Sequence, residues 1–160
     1  MLPLPHRTLP ALAVVATGCS ATATDLVTIR LADSGPVIVD SACTGDCIDP
    51  VTLEVEFAEN IAVDPEARIS VEQYKVEYAI EAADVDFFAD TISLSVAPGD
   101  TGTVDVLPAS WEQQDQVYDQ VGGDPVSGSA TLTVAGYDWN DDVFTVSTRF
   151  DITFEDLGDP

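Results

Sequence analysis

The chain has 160 residues, 46% of them hydrophobic, and sets 29 acidic side chains against five lysines and arginines, for a formal net charge of −24. A surface this acidic has no basic patch with which to displace counterions from phosphates, which excludes nucleic acid as a partner, while the hydrophobic fraction excludes a disordered chain. Anionic lipid head groups would repel it too, so association with a membrane needs an anchor other than charge.

The first segment has the parts of an export signal: a short basic start with His6 and Arg7, an apolar stretch from Leu9 to Thr17, and small residues before a cut site. It is too short to span a bilayer, which takes about 20 apolar residues. The residue after Gly18 is Cys19, and the pattern Ala16-Thr17-Gly18-Cys19 resembles the lipobox of bacterial lipoproteins, with Ala16 where that family usually has Leu or Val. The resemblance implies a signal peptide over residues 1–18, a diacylglycerol on the thiol of Cys19, an acylated new amine and residence in the cell envelope. By analogy with Gram-negative lipoproteins, the non-acidic Ser20 that follows suggests the outer membrane. Each buried CH₂ adds about 0.8 kcal/mol, so several acyl chains would hold the protein far more firmly than one. The alternative is a plain secretory signal with an incidental cysteine.

Cleavage before Cys19 leaves residues 19–160, the size of one ordinary domain with its own core. All 29 acidic residues lie there, opposed by Arg30, Arg68, Lys75 and Arg149 alone, so the exported part carries 4 minus 29, or −25. Most acidic residues alternate with apolar ones, which reads as a solvated, self-repelling surface; binding of divalent cations by carboxylates is the competing reading. With Cys19 lipidated, Cys43 and Cys47 remain as a pair in Cys-Thr-Gly-Asp-Cys, and an oxidising compartment would let them join as a disulfide. Closing so short a loop contributes about 2 kcal/mol. Zinc needs about four ligands, and the exported part has no histidine and no other free thiol. A redox-active pair would lack a basic neighbour to stabilise its thiolate.

Residues 19–25 read as a lipidated tether and 26–156 as the folded domain, with 157–160 as a flexible tail. Leu26 to Leu31 and Val37 to Val39 are short apolar runs, read as a first pair separated by the turn residues Ser34-Gly35-Pro36. Leu53, Val55 and Phe57 alternate with Glu54 and Glu56, the pattern of a half-buried strand. Val71 to Ile80 repeats it, with Tyr74, Val76, Tyr78 and Ile80 on one face. Ile92, Leu94 and Val96 precede Pro98-Gly99-Asp100, and Val104 and Val106 follow, which predicts a hairpin-like pair. Ser110, with Gln113 three residues on, forms a capping-box signature before near-helical spacing of Trp111, Val117, Tyr118 and Val121, so one short helix is expected over 111–121, ended by Gly122-Gly123. Ala130, Leu132 and Val134, then Phe144, Val146, Phe150, Ile152 and Phe154, keep one parity each and predict a long hairpin.

Seven or eight strands with one helix predict an all-β, two-sheet antiparallel sandwich. Over about residues 25–156 the domain resembles the immunoglobulin-like or fibronectin-III-like modules of many bacterial surface lipoproteins, on architecture alone. The inter-sheet cysteine pair and strand tryptophan of true immunoglobulin domains are missing, because Cys43 and Cys47 stand too close together for that role.

Tyr137-Asp138-Trp139-Asn140-Asp141-Asp142 is the leading candidate ligand site. Asp138, Asn140 and Asp142 alternate like the first ligands of a calcium loop, but Val143 and Arg149 replace the glycine and glutamate that an EF-hand needs, leaving at most a loosely held surface calcium. Tyr137 and Trp139 beside carboxylates suit a sugar; a polar turn with its tryptophan packed on a neighbouring strand is the plainer reading. Asp84 to Asp90 holds a similar mix, and its adjacent Phe87 and Phe88 cannot both point into one sheet face. Catalysis by serine, cysteine or Schiff-base chemistry lacks its usual base or nucleophile, and paired carboxylates for glycoside hydrolysis, a third alternative, are too abundant for any spacing to single out a pair, so no catalytic residue, cofactor or enzymatic role is expected. The expected role is a structural or protein-interaction module of the envelope; the alternative is a glycan- or calcium-binding surface protein.

Overall fold

The computed structural model describes residues 22–42, 48–60 and 63–158. Cys19, Cys43 and Cys47, and with them the signal peptide, lipidation and disulfide expectations, lie outside the described residues. The elements in chain order are α1 (Ala23–Leu26), β1 (Val27–Leu31), β2 (Val37–Asp40), β3 (Val51–Phe57), β4 (Ile69–Ala79), β5 (Phe88–Val96), β6 (Thr101–Val106), α2 (Trp111–Val121), β7 (Val126–Tyr137) and β8 (Val143–Glu155). The expected all-β architecture of eight strands in two sheets with one short helix is present, and a single helical turn, α1, is added to it. One sheet has three strands in the order β1-β3-β6, the other five in the order β2-β8-β7-β4-β5.

Alternation in the sequence becomes burial in the core. Leu53, Val55 and Phe57 of β3 and Leu132 and Val134 of β7 are fully buried, and residues of both sheets join in one hydrophobic cluster. At about 25 cal/mol per Å² of apolar surface removed from water, this two-period pattern is what drives the sheets together. In β4 the period slips once: its register shifts between Val71 and Gln73 against both neighbours, so Ile69 and Val71 share the inner face with Tyr74 and Val76. The two tyrosines of β4 then fix the chain that leaves β6. Tyr78 Oη donates to the carbonyl of Pro108 (2.7 Å), and Leu107 N–H donates to Tyr74 Oη (3.1 Å).

Helix α2 covers residues 111–121 as its capping residues predict. Ser110 Oγ accepts from Glu112 N–H, Gln113 Oε1 accepts from Ser110 N–H, and the helix ends at the left-handed Gly122.

Three pairings differ from expectation. β1 and β2 are not partners: β1 pairs antiparallel with β3, and β2 joins the other sheet. That partner is β8, met in parallel from Val37↔Ile152 to Asp40↔Glu155, so the larger sheet is not purely antiparallel. β5 and β6 likewise belong to different sheets, because Phe57 N–H donates to the carbonyl of Asp100 and Gly99 N–H donates to that of Phe57. The Pro98-Gly99-Asp100 turn therefore hands the chain across the core to β3 instead of folding it back on β5. The β7–β8 hairpin forms as expected, with unbroken register from Val126↔Phe154 to Tyr137↔Val143.

Candidate functional site

The tip of the β7–β8 hairpin is built by Asp138. Its Oδ1 accepts from the N–H groups of Asn140 (2.8 Å) and Asp142 (3.0 Å), while its own N–H donates to the Asp142 carbonyl (2.9 Å). The chain reverses at Asp141, which takes a positive φ of 62°. An aspartate that satisfies backbone donors inside its own turn is acting as a turn former. Among the described residues no group of three or more acidic, histidine or cysteine side chains converges so as to hold a metal ion.

Trp139 has turned inward. Its ring stacks on Phe57 at 5.5 Å between centroids and 10° between planes, so one face of the indole is committed to the end of β3. Such a pair contributes about 0.5–1.5 kcal/mol beyond the area it buries. Tyr137 is 43% exposed, and Asn140 and Asp142 are exposed as well. Of the residues singled out for a ligand, the tip thus presents Tyr137, Asn140 and Asp142 to solvent, while Asp138 and Trp139 hold the turn and anchor it.

Phe57 also fixes where this tip lies. Beyond it, Ala58 N–H donates to the carbonyl of Leu26 at the end of α1 (2.9 Å), and the 97–100 turn bonds Phe57 itself. The hairpin tip, the 97–100 turn and the start of the folded body therefore meet at one end of the molecule. The body begins inside the span expected as tether: Ala23 is buried, and Thr22 Oγ1 donates to Asp25 Oδ2 (2.7 Å).

The Asp84–Asp90 segment lies at the opposite end, where α2 covers the 80–87 connection. Asp84 N–H donates to Gln120 Oε1 and Asp86 N–H to Gln116 Oε1 (both 2.9 Å), and Gln116 Nε2 returns a bond to the Asp86 carboxylate (3.0 Å). Phe88 packs edge-on against Tyr74, whereas Phe87 is 60% exposed with Lys75 Nζ 4.7 Å from its ring centroid. Trp111 and Tyr118, seven positions apart and so on one flank of α2, are exposed as well. Their spacing predicts that both belong to the helix's apolar stripe; the stripe that is buried consists of Gln113, Gln114 and Val117. Two glutamines on the inner face hide this from any hydrophobic pattern.

Burial and hydrogen bonding shift few titrating groups. Desolvation raises Tyr78 well above the ordinary phenol range, and desolvation also raises Tyr74, against the bond from Leu107. The Arg30 guanidinium is raised by its hydrogen bond and charge pairing with Glu54 at 2.5 Å.

No family model matches the chain, and no curated protein matches it in sequence. Among solved structures it is similar to one titled "Crystal Structure of the Periplasmic Chaperone SfaE", at 12% identity and a TM-score of 0.38. The match covers 82% of this chain and 58% of the chaperone's, so the chain spans less than two thirds of that protein's length. No helix among the described residues is long and apolar enough to cross a membrane.

Proposed function

We propose that the chain is a non-catalytic lipoprotein of the bacterial envelope, carried at the outer membrane by acyl chains on Cys19, whose β domain serves as a protein-interaction or structural module. The observation that carries this reading is the placement of Cys19: it closes an apolar export run and stands three residues before Thr22, where the described fold starts. Three residues of extended chain reach about 10 Å, so a lipidated Cys19 would hold the Phe57 end of the domain close to the bilayer. The α2 end, with Trp111, Tyr118 and Phe87 exposed, would then face outward and be the end that partners meet. The finer architecture we propose is an immunoglobulin-like sandwich, supported by two sheets about one core and by strands that change sheet between β1 and β2 and between β5 and β6.

Exchange of Cys19 for serine tests the anchor. The wild-type chain is expected in the membrane fraction and Cys19→Ser in the soluble fraction; retention of the variant on the membrane contradicts the reading. A second reading, a glycan or a calcium ion at the hairpin tip, draws on exposed Tyr137 beside Asn140 and Asp142. Calorimetry with calcium and a glycan array on the full chain test it, and binding lost in Tyr137→Ala with the fold intact is the result that would favour it.

A further inference from the structure

The register slip in β4 builds a hollow on the outer face of the larger sheet. Val71 stands opposite Gly136 and Gln73 opposite Ala135, so Glu72 has no opposite number on β7. Strict alternation would turn one of two neighbouring residues inward. Across this slip Glu72 and Gln73 are both exposed, while Val71 and Tyr74 on either side of them are buried. β7 accommodates the slip with Gly136, where any Cβ would collide with the Ser70 carbonyl. A carboxylate and a carboxamide thus share one face with the small side chain of Ala135, with Tyr137 and with Val143, the cross-strand partner of Tyr137. These five residues and Gly136 line a hollow of about 100 Å³ that is open to solvent.

The walls select the chemistry of a ligand. Val143 is the most exposed large hydrophobic among the described residues, and with the half-exposed ring of Tyr137 it makes the apolar side. On the polar side, Glu72 Oε1 accepts a long bond from Ser70 Oγ (3.5 Å), and the Gln73 carboxamide and Tyr137 hydroxyl bond no described residue. No cation lines the hollow: Lys75, two positions beyond Gln73, is turned to Glu77 (2.7 Å) and to the ring of Phe87. Phosphates and carboxylates, which call for charged or backbone donors, therefore do not fit. Nor does a metal ion, since a single carboxylate falls short of a ligand set. A ligand with an apolar face and hydroxyl groups at its edge does fit. A carboxylate accepts from hydroxyls, a carboxamide donates and accepts, and an aromatic ring takes the C–H face. Pockets that enclose a whole small molecule run to about 300 Å³ or more, so this one seats a single ring whose continuation stays outside.

We propose that the hollow seats one neutral sugar residue of a glycan, its apolar face on Tyr137 and Val143 and two neighbouring hydroxyls on the Glu72 carboxylate and the Gln73 carboxamide. The proposal goes beyond the anchored-module reading and does not depend on Cys19. It shares Tyr137 with the hairpin-tip reading and uses neither Asn140 nor Asp142.

The test records amide NMR spectra of the full chain in micelles of a sugar-free detergent while neutral tetrasaccharides of glucose, galactose, mannose and N-acetylglucosamine are added in turn. At least one should bind with a Kd of about 1 mM and shift the amides of Glu72, Gln73, Tyr137 and Val143. Tyr137→Ala and Gln73→Ala should each weaken that binding about fivefold or more with the urea midpoint held, and Glu72→Gln should weaken it about threefold. Glu77→Gln, which removes a charge from the same strand away from the hollow, should leave it unchanged. A galacturonate tetrasaccharide should not bind, because its carboxylates would meet Glu72 in a chain of net charge −24. No shift with any of the four neutral sugars, shifts confined to residues 138–142, or equal binding by Gln73→Ala overturns the proposal. Any of these results, with Cys19-dependent membrane retention intact, removes the sugar seat alone and leaves the anchored module standing.

Discussion

Gln114 is among the most buried side chains of the described residues, and neither its amide nitrogen nor its oxygen has a hydrogen-bond partner among them. Leaving such a group unsatisfied costs about 1–3 kcal/mol, so Gln114→Leu, close to it in volume, should raise stability by about 1 kcal/mol in a urea titration. Its neighbour Gln113 closes the capping box, and Ser110→Ala should lower stability by about 1 kcal/mol in the same titration. Trp139→Ala removes the stack on Phe57 and should cost about 2–3 kcal/mol, which separates an anchoring tryptophan from a ligand platform whose loss leaves stability unchanged. Tyr78 titrates late because the folded state keeps the neutral phenol, desolvated and bonded to Pro108. Its folded pKa lies above the unfolded one, so the unfolded chain releases the proton first and the stability is complete below about pH 10 and falls above it. Tyr78→Phe should flatten that alkaline fall in thermal melts recorded between neutral pH and pH 11, and cost about 1 kcal/mol at neutral pH for the lost bond.

At the scale of elements, what could be read from sequence was whatever local chemistry decides. Helix α2 has the residues expected because Ser110, Gln113 and Gly122 settle both of its ends within a few positions. The faces of β3, β7 and β8 follow from alternation, and the β7–β8 hairpin from a polar turn between two long runs of one parity. Partnership between strands was not legible where it depends on distant chain. Ser34-Gly35-Pro36 and Pro98-Gly99-Asp100 both announce a change of direction, but neither says which sheet the next strand joins; the second is decided by Phe57, some forty residues earlier. The register shift after Val71 is equally silent, since both sides of it look like strand. It is visible only at Gly136, where a Cβ would come 1.9 Å from the Ser70 carbonyl oxygen. Gly136→Ala must push β4 and β7 apart and should cost about 3 kcal/mol, read as a lower urea midpoint with an unchanged slope. The candidate ligand tip was legible as a turn but not in its division of labour, because the partner that claims Trp139 stands 82 positions away in the chain.

For the whole molecule, charge and orientation belong to one argument. Residues 19–160 hold 25 more acidic than basic side chains, so the domain repels itself and would repel anionic head groups, and in the function proposed above attachment comes from the lipid on Cys19 and not from the protein surface. Attachment at Cys19 would turn the Phe57 end, with the hairpin tip, toward the bilayer, and leave the α2 end accessible. Screening reduces the self-repulsion, so the melting temperature should rise between low and molar sodium chloride; a fall would show that ion pairs such as Arg30–Glu54 outweigh the net charge. The most direct measurement is mass spectrometry of the intact chain purified from the membranes of cells expressing it. The account predicts a polypeptide beginning at Cys19 and carrying diacylglycerol with a further acyl group on its amine. A chain that begins elsewhere, or begins at Cys19 with a free thiol and a free amine, would contradict it.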